Sequence, residues 1–212
     1  MTQDPLAFPE SSRAALHDEK LRTALERLKT HFQQGRADAI ERFGGDWEAL
    51  REQGRAIRDY ALTHLDTLLE QFERNLTARD GHVHWVRDAK EAREIILRIL
   101  NDAGAKTVTK GKSMVSEEIA LNPFLEANGI TPIETDLGEY IIQLRKERPS
   151  HIIAPAFHLH KEQVADTFRA AHTSLPAGRN LEERTSLVAE ARTMLRAAFE
   201  SADAGITGAN FL

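Results

Sequence analysis

The 212-residue chain carries 33 acidic and 28 basic residues, a formal charge of −5, and no cysteine. The acidic balance disfavours non-specific nucleic-acid binding, and the absent cysteines exclude disulfides, catalytic thiols and cysteine-ligated iron–sulfur clusters within these residues. No apolar run approaches the ~20 residues that span a bilayer, and the first residues do not resemble a secretory signal. We therefore expect a cytoplasmic protein with no nucleic-acid partner and no membrane span.

The first part of the chain, residues 1–79, is predicted to be a helical region. A flexible tail of about a dozen residues precedes a helix over Asp18–His31, in which leucines recur at helical spacing. A break at Phe43–Asp46 leads into a second helix that reaches about Leu76, with a bend at Gly54. These helices carry no obvious chemistry, so packing or partner contact is their predicted role.

From residue 80 onward, predicted strands and helices alternate. Strands are predicted over 82–86, 106–109, 130–135 and 151–154, and helices over 88–100, 113–128, 138–147, 160–171 and 181–202. The helix over 113–128 is expected to be interrupted at Asn122-Pro123, where Asn122 caps a new segment that begins at Pro123. Alternation with short connections favours an α/β fold: a Rossmann-like, mostly parallel sheet with helices on both faces.

A basic loop follows the strand predicted at 106–109. Lys110, Lys112 and Ser113 stand where the next helix begins, and the amides of a helix N-terminus favour a carboxylate or phosphate ligand. The glycine spacing fits neither a phosphate-binding P-loop nor a dinucleotide fingerprint. The loop is therefore either a small-anion site or a solvated basic turn in which Ser113 is an ordinary N-cap.

Three carboxylates follow the next strand at its turn into a helix. Because ligands of open α/β sheets bind at the carboxyl ends of strands, we predict acid/base roles for Glu134 and Asp136 and a substrate-binding role for Glu139. The alternative is local: Asp136 would cap the following helix, and Glu139 would stabilise its first turn.

Two histidines follow the strand predicted at 151–154. His158 is predicted to be catalytic and His160 to bind the substrate, since an imidazole can exchange a proton near neutral pH. Neither an HExxH motif nor a Cys/His ligand spacing is present, so no metal site is predicted.

Four segments in order resemble the lactate-utilisation (LUD) domain family, closest to the iron–sulfur subunits of bacterial L-lactate oxidation systems. The segments are VHWVRDAKEA (83–92), KSMVSEEIALN (112–122), ETDLGEYIIQL (134–144) and HIIAPAFHLHKEQV (151–164). The resemblance implies a sheet of the sugar-isomerase and CoA-transferase type, a small carboxylate substrate, and other subunits of the lactate-utilisation system as partners.

The resemblance also implies cluster-binding cysteines in a C-terminal region, and this chain has none. After the last predicted helix it runs through GITGANFL and finishes on Phe211 and Leu212, as at the start of a buried strand, whereas a natural terminus is more often polar. We therefore expect an LUD-type domain over 80–212 that is incomplete at its C-terminal end. Such a chain holds no cofactor itself, and iron–sulfur clusters belong to a missing C-terminal region.

The leading functional hypothesis is accordingly a cluster-free part of an L-lactate to pyruvate oxidation system, inactive alone. Two alternatives stay open: a cofactor-free isomerase or transferase acting on a small anionic substrate, and a non-catalytic interaction module.

Overall fold

The computed structural model describes residues 8–147, 149–150 and 154–208. These residues form two compact units, which meet in the sequence between Trp85 and Val86. The domain boundary predicted after residue 79 stays a prediction.

The first unit consists of helices. They are α1 (Phe8–His17), α2 (Glu19–Phe43), α3 (Trp47–Thr63) and α4 (Leu65–Thr77). Asp18 caps α2 by accepting from two backbone N–H groups of the first turn, and Asp46 caps α3 by accepting from one. The flexible tail predicted for the first dozen residues is wrong from Phe8 onward, because Pro9 lies in the first turn of α1, where proline is tolerated.

The bend predicted at Gly54 stays a prediction: α3 continues through Gly54, and the helical run is interrupted at His64. One glycine in an exposed helix costs only about 0.5–1 kcal/mol relative to alanine, which is too little to break a helix by itself.

The second unit has the predicted α/β composition. Its elements are α5 (Ala89–Asp102), β1 (Thr107–Lys110), α6 (Met114–Glu118), α7 (Leu121–Ala127), β2 (Thr131–Glu134), α8 (Leu137–Arg145), α9 (Lys161–Ala171), α10 (Arg184–Ser201) and β3 (Ala204–Ile206). The α/β prediction is confirmed: helices surround a small parallel sheet. No helix in the described ranges is both long and apolar enough to cross a membrane.

The sheet has three parallel strands in the order β2-β1-β3. Pro132 is accommodated because β2 lies at the edge of this sheet, where a missing N–H donor is tolerated. The Gln143 side chain of α8 binds the free edge of β2: it donates to Pro132 O at 2.8 Å and accepts from Glu134 N at 3.0 Å. The register aligns Lys110 with Glu134, so both residues end their strands side by side.

Three predicted elements differ from the structure. The strand predicted at 82–86 is wrong, since this segment is irregular and leaves Trp85 and Val86 about half exposed. The interruption predicted at Asn122-Pro123 in the 113–128 helix lies earlier: Ala120, with a left-handed φ of 50°, separates α6 from α7, and Asn122 and Pro123 lie inside α7. The strand predicted at 151–154 lies outside the described residues except for Ala154, which is not in a strand.

Two hydrophobic clusters stabilise the second unit. One joins α5, α7 and the sheet through Leu100, Ala105, Val108, Leu121, Leu125 and Ile130. The other joins α8, α9 and α10 through Tyr140, Ile141, Ala165, Phe168, Leu181, Leu187, Ala191 and Leu195.

The strand β3 was not predicted because it is three residues long and contains a glycine. Asp203 fixes its start: its Oδ2 accepts the backbone N–H groups of Lys106 and Thr107, each at 2.8 Å. These two N–H donors hold the pKa of Asp203 below its usual range. The carboxylate therefore links β3 to the beginning of the central strand.

We predict that Leu125→Ala destabilises the protein by about 2–5 kcal/mol, because the leucine is fully buried and its loss leaves a cavity. Val115→Ala is the control, since this side chain is 65% exposed and its truncation should change the free energy of unfolding by no more than about 0.5 kcal/mol. Urea unfolding measures both. A Leu125→Ala protein as stable as the wild type would contradict this account of the core.

Candidate functional site

A buried ion pair lies at the carboxyl ends of β1 and β2. Lys110 Nζ is 2.8 Å from Glu134 Oε1, and the two side chains are only 1% and 4% exposed. The parallel register produces this pair, because it places the last residue of each strand beside the other. Charged side chains are rarely buried so deeply unless other polar groups contact them. The polar groups around this pair are therefore part of the site.

The helices α6 and α7 supply those surrounding groups. Ser116 Oγ accepts from Lys110 Nζ at 2.9 Å and donates to Ser113 O at 2.7 Å. Asn122 Nδ2 donates to Glu134 Oε1 at 2.6 Å, and Glu117 Oε1 lies 3.7 Å from Lys110 Nζ. The lysine ammonium thus contacts a carboxylate, a hydroxyl and a second, more distant carboxylate.

A third carboxylate enters the cluster from the first turn of α8. Oxygens of Glu117, Glu134 and Glu139 lie within 4.8 Å of one another. Burial, followed by the negative charge of Glu134, raises the pKa of Glu139 to about 7. Since Glu134 Oε2 and Glu139 Oε2 are buried without a hydrogen-bond partner among the described residues, a proton held between them would satisfy both.

The predicted anion loop is only partly built as expected. Ser113 is the N-cap of α6, where its Oγ accepts from Ser116 N at 3.2 Å. The helix α6 has only five residues, so it offers a weak macrodipole to an anion. Lys112 is 31% exposed, with its Nζ 3.9 Å from Glu139 Oε1. Anion binding by Lys110, Lys112 and Ser113 stays a prediction.

Asp136 follows the local alternative. Its Oδ1 accepts from Gly138 N at 3.1 Å and from Glu139 N at 3.4 Å, which makes it the N-cap of α8. A catalytic role for Asp136 stays a prediction, but the cap already occupies this oxygen.

The hydrogen bonds described for His158 and His160 are not to Glu117, Glu134 or Glu139. His158 Nδ1 lies 2.8 Å from Ser150 Oγ, and its Nε2 lies 3.4 Å from Glu147 Oε2. The Arg145 guanidinium, together with His158, holds the pKa of Glu147 below its usual range. The backbone N–H of His160 donates to Gln163 Oε1 at the start of α9. Roles for His158 and His160 in a reaction stay predictions.

Three residues of the site were not predicted from the sequence: Ser116, Glu117 and Asn122. Ser116 and Glu117 stand three and four residues after Ser113, the spacing that places side chains on one face of a helix. That spacing was the available signal. Asn122 was expected only to cap a helical segment, because its distance from Glu134 is short only after the chain has turned at Ala120.

A second buried polar cluster in the same unit differs from this one because its charged groups are paired. His172 Nδ1 lies 2.7 Å from Glu190 Oε1, and its Nε2 lies 2.9 Å from Tyr140 Oη. Arg179 Nε donates to Glu190 Oε2 at 2.6 Å. Both oxygens of this carboxylate have partners, as expected of a structural network. The cluster of Glu134 and Glu139 differs in that one buried oxygen of each carboxylate has no hydrogen-bond partner among the described residues.

Comparison with known proteins gives a consistent set of relatives. The model of the LUD domain family matches residues 69–212. Lactate utilization protein B of Geobacillus sp. (strain WCH70) is 41% identical over 212 residues, which is 100% of this chain and 44% of that protein. Its Bacillus subtilis (strain 168) counterpart is 40% identical over 210 residues, covering 97% of this chain and 42% of the relative.

The protein of the same name from Shouchella clausii (strain KSM-K16) is 44% identical over 190 residues, covering 89% of this chain and 38% of the relative. The chain thus spans less than half the length of these curated relatives. No solved structure matches it.

We predict that Lys110→Met lowers the free energy of unfolding by about 3–5 kcal/mol, because it leaves Glu134 buried without its cation. The double variant Lys110→Met/Glu134→Gln should recover a large part of this loss. Lys90→Met is the control: its pair with Glu94 is 3.6 Å long and mostly exposed, so its removal should cost less than about 1 kcal/mol. Equal losses for Lys110→Met and Lys90→Met in denaturant unfolding would refute the buried pair.

The raised pKa of Glu139 predicts a pH-dependent stability. A carboxyl that binds its proton more tightly in the folded protein loses stabilisation as the pH rises from 4.5 to about 7. The wild type should therefore lose stability relative to Glu139→Gln across this window, with no further loss above it. Unfolding free energies of both proteins at several pH values measure the difference.

Glu147→Gln provides a control of opposite sign for this titration. Because the pKa of Glu147 is lowered, the wild type should lose stability relative to this variant as the pH falls below about 4.5. Parallel curves for wild type and Glu139→Gln would show that Glu139 titrates normally.

Proposed function

Because this chain belongs to the LUD domain family, we propose that it works in bacterial lactate utilisation, as part of a system that oxidises L-lactate to pyruvate. The observation that carries this proposal is the 41% identity to a lactate utilization protein B across all 212 residues, the N-terminal helices included. The proposed partners are other subunits of that system.

The oxidation of lactate to pyruvate releases two electrons and two protons. In the proposed system, iron–sulfur centres accept the electrons. This chain contains no cysteine, so its residues do not fit a cysteine-ligated cluster. We therefore assign electron transfer to another part of the system and derive no redox step within these residues.

For this chain we propose a small-carboxylate site at the edge of the carboxylate cluster. The supporting geometry is the position of Lys112, which is partly exposed and lies beside the buried Glu139. An ammonium group there can attract a carboxylate ligand, while the Lys110–Glu134 pair fixes the end of β1, from which this loop leaves. The cofactor-free isomerase and the non-catalytic interaction module stay predictions.

Growth on L-lactate tests the proposal. In a bacterium that carries this gene, we expect its deletion to abolish growth on L-lactate and to leave growth on pyruvate unchanged, because only the oxidation step is lost. The intact gene should restore growth. Normal growth of the deletion strain on L-lactate would refute the proposed role in lactate utilisation.

A matched pair of lysine variants tests the carboxylate site separately. Lys112→Gln should slow growth on L-lactate, whereas Lys106→Gln, which removes an exposed lysine before β1, should not. If both variants grow like the wild type while the deletion strain fails, the lactate role stands and the assignment of Lys112 is wrong.

A further inference from the structure

We propose that Glu117, Glu134 and Glu139 together bind one hard divalent cation of the Mg²⁺, Mn²⁺ or Ca²⁺ class. The three residues come from α6, β2 and α8, so the fold and not a sequence motif brings them together. The inference goes beyond the role in lactate utilisation and does not depend on it.

The separation of the three carboxylates suits an ion between them. One oxygen from each residue lies within 4.8 Å of the others. Two ligands on opposite sides of a Ca²⁺ ion stand about 4.6–5.2 Å apart, and ligands of Mg²⁺ or Mn²⁺ stand closer. The three oxygens are therefore close enough together to contact one ion.

Unsatisfied buried atoms are the second, independent indication of a ligand. Glu134 Oε2 and Glu139 Oε2 belong to side chains that are only 4% and 7% exposed, and neither atom has a hydrogen-bond partner in the described part of the chain. The amide oxygen of Asn122 is buried and unpartnered as well, and its Nδ2 already donates to Glu134. Buried oxygens without donors are costly, and a cation would satisfy them.

The charge of the cluster and its access to solvent also favour a bound cation. Three carboxylates face two ammonium groups, the buried one of Lys110 and the partly exposed one of Lys112, so ionised carboxylates outnumber the cations by one. Glu117 is 38% exposed and gives an ion a route from solvent. All candidate ligands are carboxylate or amide oxygens, and such ligands select hard cations over metals that require thiolate or imidazole.

Titration of the chelator-treated 212-residue chain with Mn²⁺ tests the proposal, with electron paramagnetic resonance reporting free Mn²⁺. We expect one Mn²⁺ per chain, displaced by excess Mg²⁺ or Ca²⁺. Glu117→Gln should weaken binding at least about tenfold, since it removes one of three charged ligands. Glu118→Gln is the matched control, because it removes the same charge from the next, exposed residue of α6 and should leave affinity unchanged.

The Mn²⁺ affinity of Glu139→Gln tests a buried ligand in the same way. Circular dichroism checks that this variant is folded. Weaker Mn²⁺ binding in Glu117→Gln and Glu139→Gln, but not in Glu118→Gln, would support the site. A wild-type chain that binds no Mn²⁺ would overturn the proposal and leave a proton as the group shared by Glu134 and Glu139. Equal affinities in all three variants would overturn it too, because the ion would then bind elsewhere.

Discussion

The burial of Lys110 against Glu134 is the constraint on which the rest of the second unit depends. Removing two charges from water costs several kcal/mol per ion, and the pair is tolerated only where further polar groups surround it. Ser116 and Asn122 provide such groups from two different short helices. A single continuous helix is replaced by α6 and α7, with Ala120 in a left-handed conformation between them. The interruption at Ala120 therefore places a residue of α6 and a residue of α7 in contact with the same ion pair.

The two buried polar clusters show which charges the fold satisfies and which it leaves open. Around His172, both oxygens of Glu190 have partners, and the network lies within the hydrophobic cluster of α8, α9 and α10. Around Lys110, one oxygen each of Glu134 and Glu139 has none among the described residues. Unsatisfied buried groups reduce stability, and these two lie at the end of β2 and in the first turn of α8, where the ion site is proposed.

Sequence patterns predicted the parts of this fold that depend on local chemistry. The β1 and β2 strands, α8 and the cap at Asp136 follow from strand propensity, helical spacing and capping residues that are adjacent in sequence. The concentration of lysines and carboxylates at the strand ends was also predicted, since parallel strands bring their carboxyl ends together.

The contacts within the site depend on distances in space and were therefore not predictable. Lys110 was expected to attract an external anion, but its ammonium is paired with Glu134, which is 24 residues away in sequence and adjacent only because of strand register. The grouping of Glu117, Glu134 and Glu139 was not predicted, because carboxylates from α6, β2 and α8 form no recognisable spacing. The strand β3 was not predicted, and the segment 82–86 was wrongly predicted to be a strand, for a related reason. Pairing with a neighbouring strand, and not alternation of side chains alone, decides whether a segment becomes a strand.

The central proposal is that the buried Lys110–Glu134 pair holds the Lys112 loop and the carboxylate cluster in the arrangement that lactate utilisation requires. Growth on L-lactate of a strain whose protein carries Lys110→Met/Glu134→Gln tests it most directly, because this double change removes both charges together and leaves neither one unpaired. The account predicts a folded protein at normal cellular level and no growth on L-lactate. Growth at the wild-type rate would contradict it and would reduce the pair to a structural feature of the sheet.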